Sequence, residues 1–191
     1  MVLENFEAAM TARWLQAGIG PREAAAKLQP AFNGIELDEQ AIQALDNKWE
    51  GQPDALGIVY ALLDGWHRLA GFGCKTSQSP VDHAEIILMM AEISKDKFPI
   101  DDIRQTIESD EELRVSLVSR GERYSFSVQD HGRRYNIDGV LDGLNAILSG
   151  LDLAERFIEF YSGSGSVAIL TFARKDQFLS VAKELGIRLE R

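Results

Sequence analysis

The sequence predicts an α+β fold, with a helical N-terminal half packed on a C-terminal antiparallel sheet that is built from two strand–strand–helix units. Three observations support this prediction. Apolar residues recur at three- and four-residue steps before about residue 95 and alternate with polar residues after about residue 112. The pattern strand, strand, helix then occurs twice, over about 113–149 and 156–186. The change of period near residues 95–100 predicts a helical subdomain over 1–97 and an α+β subdomain over 98–191.

The first 50 residues are expected to form three helices. Apolar residues between Leu3 and Ala17 recur at helical spacing and form one stripe of an amphipathic helix. Pro21 stands at a helix-start position, where its missing N–H costs nothing, and the short helix that it begins should end near Gln29. Asp38 is the expected N-cap of the next helix, because an aspartate side chain can accept hydrogen bonds from free N–H groups at a helix start.

Two buried helices are predicted to follow. Residues 53–71 carry apolar side chains on almost every side, which is typical of the centre of a helical bundle. The second helix is expected to begin at Ser79, with Pro80 at its first position and an acid, Asp82, three residues after the cap.

The C-terminal half changes to strand patterns. A last short helix is predicted over Pro99–Ser109. Alternating apolar residues on both sides of Gly121 then predict a β-hairpin with one apolar face. Asp138 is the expected cap of the first C-terminal helix. The later elements are a strand at Phe157–Tyr161, a strand over 167–172 that is apolar on both faces, a helix over about 178–185 and a short strand at 187–189. The strands are expected to pair into a single antiparallel sheet with helices on one face.

Composition narrows the class of protein. The formal net charge of −10 disfavours nonspecific binding to nucleic acid or anionic membranes and favours fast encounter with a basic partner. Solubility alone is an alternative reason for such acidity. The single cysteine, Cys74, excludes an internal disulfide, and neither a signal peptide nor a membrane-spanning run is expected. We therefore expect a cytoplasmic protein.

The stretch from His67 through Cys74 to His83 gathers two of the three histidines and the only cysteine. A Cys–His pair can generate an activated thiolate. The spacing His-x6-Cys-x8-His matches no paired-ligand metal signature, however, so no metal and no cofactor are expected. A structural loop between two core helices is the favoured interpretation of this region.

Three further motifs are interpreted as structural. Gly71-Phe72-Gly73 and Gly163-Ser164-Gly165 lack the strand–loop–helix context of a phosphate site, so turns that need glycine are expected. The basic-aromatic stretch His131–Tyr135 is too isolated in an acidic chain to predict nucleic-acid binding.

Acidic residues concentrate in two windows. The window 101–112 holds six acids against Arg104, and the window 36–54 holds six acids against Lys48. Acids at helix starts favour the positive end of the helix dipole, which accounts for part of this concentration. The remainder favours a surface that meets a cationic partner. No apolar surroundings that would raise the pKa of a paired carboxylate, as glycoside hydrolysis requires, are visible in the sequence.

In size, acidity and the strand-pair-then-helix pattern of its C-terminal half, the chain resembles bacterial immunity proteins of polymorphic toxins. Such proteins inhibit a cognate toxin by covering its basic active site. The resemblance extends over about half of the chain and includes no diagnostic motif. It implies an acidic, non-enzymatic binding protein whose partner is a basic toxin domain, without nucleic acid, membrane or cofactor. The acids expected at the contact are Asp101, Asp102, Glu108, Asp110, Glu111, Glu112, Glu36, Asp38 and Glu39.

Two alternatives remain open. A small enzyme would use Cys74 with His67 or His83, and replacing Cys74 by alanine would then abolish its activity. A dimeric adaptor or scaffold would use the exposed edge of the sheet, and sedimentation would distinguish it from a monomeric inhibitor.

Overall fold

The computed structural model describes residues 20–32, 35, 38–48, 55–163 and 165–190. These residues form six α-helices and two antiparallel three-stranded sheets, so the predicted α+β class is confirmed. Within these ranges no helix has the length and apolarity that crossing a membrane requires. The predicted helix over 3–17 and the acids Glu36, Glu50 and Asp54 lie outside the described residues.

The helices are α1 Pro21–Leu28, α2 Glu39–Lys48, α3 Ala55–Gly65, α4 His83–Ser94, α5 Ile137–Gly150 and α6 Lys175–Glu184, with a short 3-10 turn at Gln29–Ala31 after α1. The strands are β1 Leu69–Gly73, β2 Asp102–Ser109, β3 Glu112–Ser119, β4 Glu122–Gln129, β5 Glu155–Phe160 and β6 Val167–Arg174.

The chain divides into two compact units. One consists of residues 1–67 and 176–188, and the other of residues 68–175 and 189–191. The boundary near residue 97 between a helical subdomain over 1–97 and an α+β subdomain over 98–191 stays a prediction.

The first unit is helical. Helix α1 packs against α2 and α3, and the Phe32 ring contacts the rings of Trp66 and Phe178 at centroid distances of 5.8 Å each. Pro21 occupies the predicted position in the first turn of α1. The predicted cap of α2 is also confirmed, because an Asp38 carboxylate oxygen accepts hydrogen bonds from the N–H groups of residues 40 and 41 at 2.9 and 3.1 Å.

The second unit contains both sheets. Their strand orders are β1-β6-β5 and β2-β3-β4, so the expectation of one continuous sheet was wrong. Each predicted strand pair gains a third strand from earlier in the chain: β2 joins the β3–β4 hairpin, and β1 joins β6. The central strand β6 is buried from Ala168 to Ala173, which confirms that both of its faces are covered.

Two helices connect the sheets into one hydrophobic core. Helix α4 contacts β1, β6 and β2, and helix α5 contacts β4 and β5. The core includes fully buried residues from each of these layers, among them Met90, Val115, Leu144 and Leu170. The inner face of β3 supplies alternating buried residues, as the predicted hairpin requires. The sheet that bears the 101–112 window is therefore anchored through its central strand.

Several predicted elements were wrong in detail. Residues 102–109 form a strand and not a helix, because they pair along their length with β3. Helix α3 ends at Gly65, and residues 69–73, including the glycines that we expected in a loop, pair with β6 instead. At the C-terminus, residue 189 makes only an isolated bridge to residue 160.

Two predicted caps were also wrong. Helix α4 begins at His83, after a cap by Asp82 and not by Ser79. Helix α5 is capped by Asn136, whose side-chain oxygen accepts the N–H of Gly139 at 2.9 Å, and not by Asp138. In both cases the chain supplies an equally suitable capping side chain nearby.

Candidate functional site: the acidic β2–β3 hairpin

The acids of the 101–112 window lie along an edge strand. Strand β2 pairs with β3 alone in its sheet, and its side chains from residue 106 to 109 are all exposed. A strand rises about 3.3 Å per residue, so the two ends of this eight-residue strand lie about 23 Å apart. The window is therefore divided between two ends of the sheet and is not one continuous patch.

The first end holds Asp101 and Asp102. The backbone N–H of Asp101 donates to the Val118 carbonyl at 2.9 Å, which fixes the entry into β2. The Asp102 carboxylate lies 3.3 Å from the Arg104 guanidinium, on the same outer face of the sheet. Because this pair neutralises one of the two acids, the first end carries little unbalanced charge.

The second end is the turn between β2 and β3. Ser109 and Glu112 face each other across the pair, which leaves Asp110 and Glu111 as the two turn residues. The Ser109 hydroxyl accepts the Glu111 N–H at 3.3 Å, and the Glu111 carbonyl accepts the Asp130 N–H at 2.9 Å. We call the five acids of this end, Glu108, Asp110, Glu111, Glu112 and Asp130, the acidic tip.

One arginine counters the acidic tip. Arg114 binds Glu108 through two hydrogen bonds, of 2.5 and 2.9 Å. Hydrogen bonding by Arg114 holds the pKa of Glu108 below its usual value. Asp110, Glu111 and Glu112 form no ion pair with any described residue. Asp110 and Glu111 thus remain available to an external cation, and Glu112 shares the charge of Arg114 with Glu108.

An exposed isoleucine adjoins the acidic tip. Ile107 is 66% exposed, although its cross-strand neighbour Leu113 is fully buried. Both residues belong to the inner face of the sheet, where Ile107 occupies the last row before the turn. A single exposed apolar side chain is ordinary by itself. Its position in the edge strand, immediately before the acidic turn, is the feature that bears on function.

Sequence reasoning missed both Ile107 and Asp130 as members of this site. A signal for the first was present, since Ile103, Gln105 and Ile107 occupy alternate positions and β-branched residues are frequent in this stretch. The predicted helix over 99–109 concealed that alternation. Asp130 joins the acidic tip only through a backbone contact across the hairpin, for which the sequence carries no signal.

Two of the acids predicted from the N-terminal window, Asp38 and Glu39, have local partners. Asp38 caps α2, as described above. Glu39 accepts two hydrogen bonds from the Arg22 guanidinium, one of 3.0 Å, and these hold the pKa of Glu39 below its usual value. Glu36 lies outside the described residues. Asp38 and Glu39 therefore serve helix capping and one surface ion pair.

His83 and Cys74 occupy structural positions. The His83 ring is fully buried, with Nδ1 2.9 Å from the Gln105 side-chain oxygen and Nε2 accepting the Asn136 N–H at 3.1 Å. Burial lowers the pKa of His83, so the ring is neutral at pH 7. Both nitrogens are occupied, which leaves neither free to accept a proton from a thiol.

The thiol is equally unsuited to nucleophilic chemistry. Cys74 is 7% exposed, and burial, followed by the Glu159 charge, raises its pKa. A raised pKa keeps the thiol protonated near neutrality. Across the described ranges, no cluster of three or more histidine, cysteine or acidic residues could hold a metal ion.

Comparisons of the chain with protein-family models, with curated proteins and with solved structures give no match.

Proposed function

We propose that this chain is a binding protein that neutralises a cognate basic protein, in the manner of a bacterial immunity protein that occludes the active site of a toxin. The observation on which the proposal depends is the group of carboxylates at residues 110–112, which form no ion pair with a described residue and lie in the turn that ends an edge strand, together with the exposed Ile107 of that strand. Basic active sites of nucleic-acid-cleaving toxins offer the opposite charge. The acidic tip would cover such a site and exclude its substrate.

The chemistry of the acidic tip suits this role in two ways. Carboxylates that are not already paired can steer a cationic partner and raise its association rate, at low salt most of all. An exposed apolar side chain on the same strand, such as Ile107, can enter a pocket on the partner and slow dissociation. The acidic tip thus supplies a long-range contribution to binding, and Ile107 supplies a short-range one.

The hairpin also presents these groups with little freedom. Strand β3 pairs with both neighbours, and its inner residues are buried in the core. The Glu111 carbonyl accepts a hydrogen bond from the Asp130 N–H. A preorganised surface loses less conformational entropy on binding, which favours a tight complex.

The proposal can be tested with a charge-neutral tip. The partner is first isolated by co-purification with the full-length chain from the cells that produce it, and it should be a basic protein. Association is then measured by surface plasmon resonance for the triple variant Asp110→Asn/Glu111→Gln/Glu112→Gln. The association rate constant should fall by about tenfold or more at low salt, and its salt dependence should weaken.

A matched control separates position from net charge. The triple variant Glu92→Gln/Asp96→Asn/Glu122→Gln removes the same charge from exposed positions in the same unit. Its association rate constant should change by less than about threefold. Equal losses in the two triple variants would show that net charge alone acts, and the acidic tip would no longer be the binding surface.

The apolar contact has its own test. Ile107→Ala should raise the dissociation rate constant by about tenfold with little effect on association. Leu88→Ala is the control, because Leu88 is a second large aliphatic side chain that is exposed in the described part of this unit, at 43% exposure. Sedimentation of the free chain should give a monomer, whereas a dimer joined through β2 would favour the adaptor alternative.

A further inference from the structure

A cleft in the second unit is distinct from the acidic tip. Its volume is about 240 Å³. One wall is formed by the end of β1 and the residues that follow it. Residues from α4 form another wall. The lining consists of Phe72, Gly73, Lys75, Thr76, Glu85, Ile86, Met89 and Tyr135. Three remote parts of the chain therefore build one concave surface.

The strand-side wall is held by main-chain hydrogen bonds. The Thr76 N–H donates to the Arg133 carbonyl at 3.0 Å, and the Tyr135 N–H donates to the Cys74 carbonyl at 3.0 Å. These bonds join the stretch after β1 to the stretch before α5. Gly73 adds no side chain, so a ligand can approach the backbone there.

Two opposite charges line the cleft without pairing. Lys75 makes no ion pair and no side-chain hydrogen bond with the described residues. Glu85 accepts a hydrogen bond from the Tyr135 hydroxyl at 2.9 Å but has no cationic partner among them. Burial, together with this bond, raises the pKa of Tyr135 to about 12, so the phenol stays a donor at neutral pH. The Lys75 ammonium and the Glu85 carboxylate thus line the same cleft without forming an ion pair with each other.

The remaining lining is apolar. Phe72, Ile86 and Met89 come from the two facing walls, and the Phe72 and Tyr135 rings meet edge to face at 6.3 Å. The volume equals that of about eight water molecules at 30 Å³ each, which suits a ligand of about ten non-hydrogen atoms. Drug-sized ligands require larger pockets, of about 300 Å³ or more.

We propose that this cleft binds a small zwitterion, namely a free α-amino acid with an apolar side chain such as leucine or methionine. The ligand carboxylate would meet Lys75 and Thr76, and its ammonium group would meet Glu85. The aliphatic chain would lie against Phe72, Ile86 and Met89. A zwitterion can engage both Lys75 and Glu85, whereas an anion alone or a cation alone would engage only one of them.

The test is a titration of the full chain with L-leucine or L-methionine, followed by ¹H–¹⁵N NMR. Amide shifts should concentrate at Gly73, Thr76 and Tyr135, with a dissociation constant of about 0.1–1 mM for so small a ligand. Isocaproate, which lacks the ammonium group, and isoamylamine, which lacks the carboxylate, should each bind at least about tenfold more weakly.

Charge-neutral variants extend the test. Lys75→Gln and Glu85→Gln should each weaken amino-acid binding about tenfold or more, whereas the matched exposed controls Lys95→Gln and Glu92→Gln should leave it unchanged. Circular dichroism checks that every variant is folded.

Three results would overturn the proposal: no amide shifts near the cleft at about 20 mM amino acid, equal binding of either single-charge analogue, or unaltered affinity in both charge-neutral variants. None of these results depends on the acidic tip or on a protein partner.

Discussion

At Gly143, helix α5 approaches the Phe126 ring of strand β4 so closely that no side chain fits between them. Gly143 lies in α5, which packs on β4. A Cβ atom at this position would lie 2.2, 2.4 and 2.6 Å from three ring carbons of Phe126. Carbon atoms in ordinary contact are about 3.5–4.0 Å apart, so the overlap exceeds 1 Å. The nearest atoms include the ring carbon attached to Cβ, which cannot swing away as a flexible chain end could.

Gly143→Ala should therefore destabilise the protein despite the better helix propensity of alanine. Overpacking of a core costs about 1–3 kcal/mol. The propensity gain offsets at most about 1 kcal/mol of that cost. Since the ring is held close to its backbone, we expect a net loss of about 1–2 kcal/mol in the free energy of unfolding. Urea denaturation followed by circular dichroism measures this quantity.

Two controls isolate the clash. Gly150, at the end of the same helix, has open space around the corresponding position, so Gly150→Ala should be neutral or stabilise by up to about 1 kcal/mol. In a Phe126→Ala background, the cost of Gly143→Ala should disappear. An unchanged cost in that background, or a Gly143→Ala variant as stable as the parent, would refute the argument.

Three further predictions concern capping, a side-chain clamp and pH. Asp38→Ala should lower the free energy of unfolding by about 0.5–2 kcal/mol in urea titrations, because two N–H groups lose their acceptor. Asn145 donates to and accepts from the backbone of Phe157 at 3.0 and 2.9 Å, so Asn145→Ala should cost about 1–3 kcal/mol and speed amide hydrogen exchange in β5. Burial lowers the pKa of His83 below 6.5 in the folded chain, so the unfolded chain binds a proton at this residue more readily. The neutral ring therefore contributes to the free energy of unfolding above about pH 6.5, and this contribution is lost as the pH falls through the folded-state pKa. In His83→Gln the contribution of His83 to the decrease in the free energy of unfolding between about pH 7.5 and pH 5 should vanish. The same pH dependence in the variant and the parent would contradict this role of His83.

Local signals predicted the elements whose stability is local. The β3–β4 hairpin carries a clear alternation on both sides of Gly121, whose φ of 80° suits a tight turn. Pro21 and Asp38 lie at the predicted helix starts because their own backbone and side-chain chemistry favours those positions. In each case the residues that fix the structure lie within a few positions of one another.

Non-local pairing explains the errors. The segment 69–73 continues the apolar pattern of α3, but it forms a strand because β6, about one hundred residues later, offers it an edge. The break is at His67, whose φ of 53° ends the helical path. The acidic stretch 102–109 becomes a strand by pairing with β3. Neither partner can be read from the segment itself, since strand propensity depends strongly on context.

These errors also changed the predicted site. Had residues 101–108 been helical, a rise of 1.5 Å per residue would place the ends of that stretch about 10 Å apart, which is about one Debye length at 0.1 M salt. As a strand the stretch is more than twice as long, and its first acids are separated electrostatically from its last. Only acids gathered by the turn itself, at residues 110–112, remain one charged group, with Asp130 added by the fold. A high density of charged residues in the sequence therefore predicts a single surface patch only when the local secondary structure, and with it the rise per residue, is known. For this chain the distinction moves the expected partner contact from the whole window to the acidic tip, and it makes Asp101→Asn/Asp102→Asn the substitution that should leave partner association unchanged.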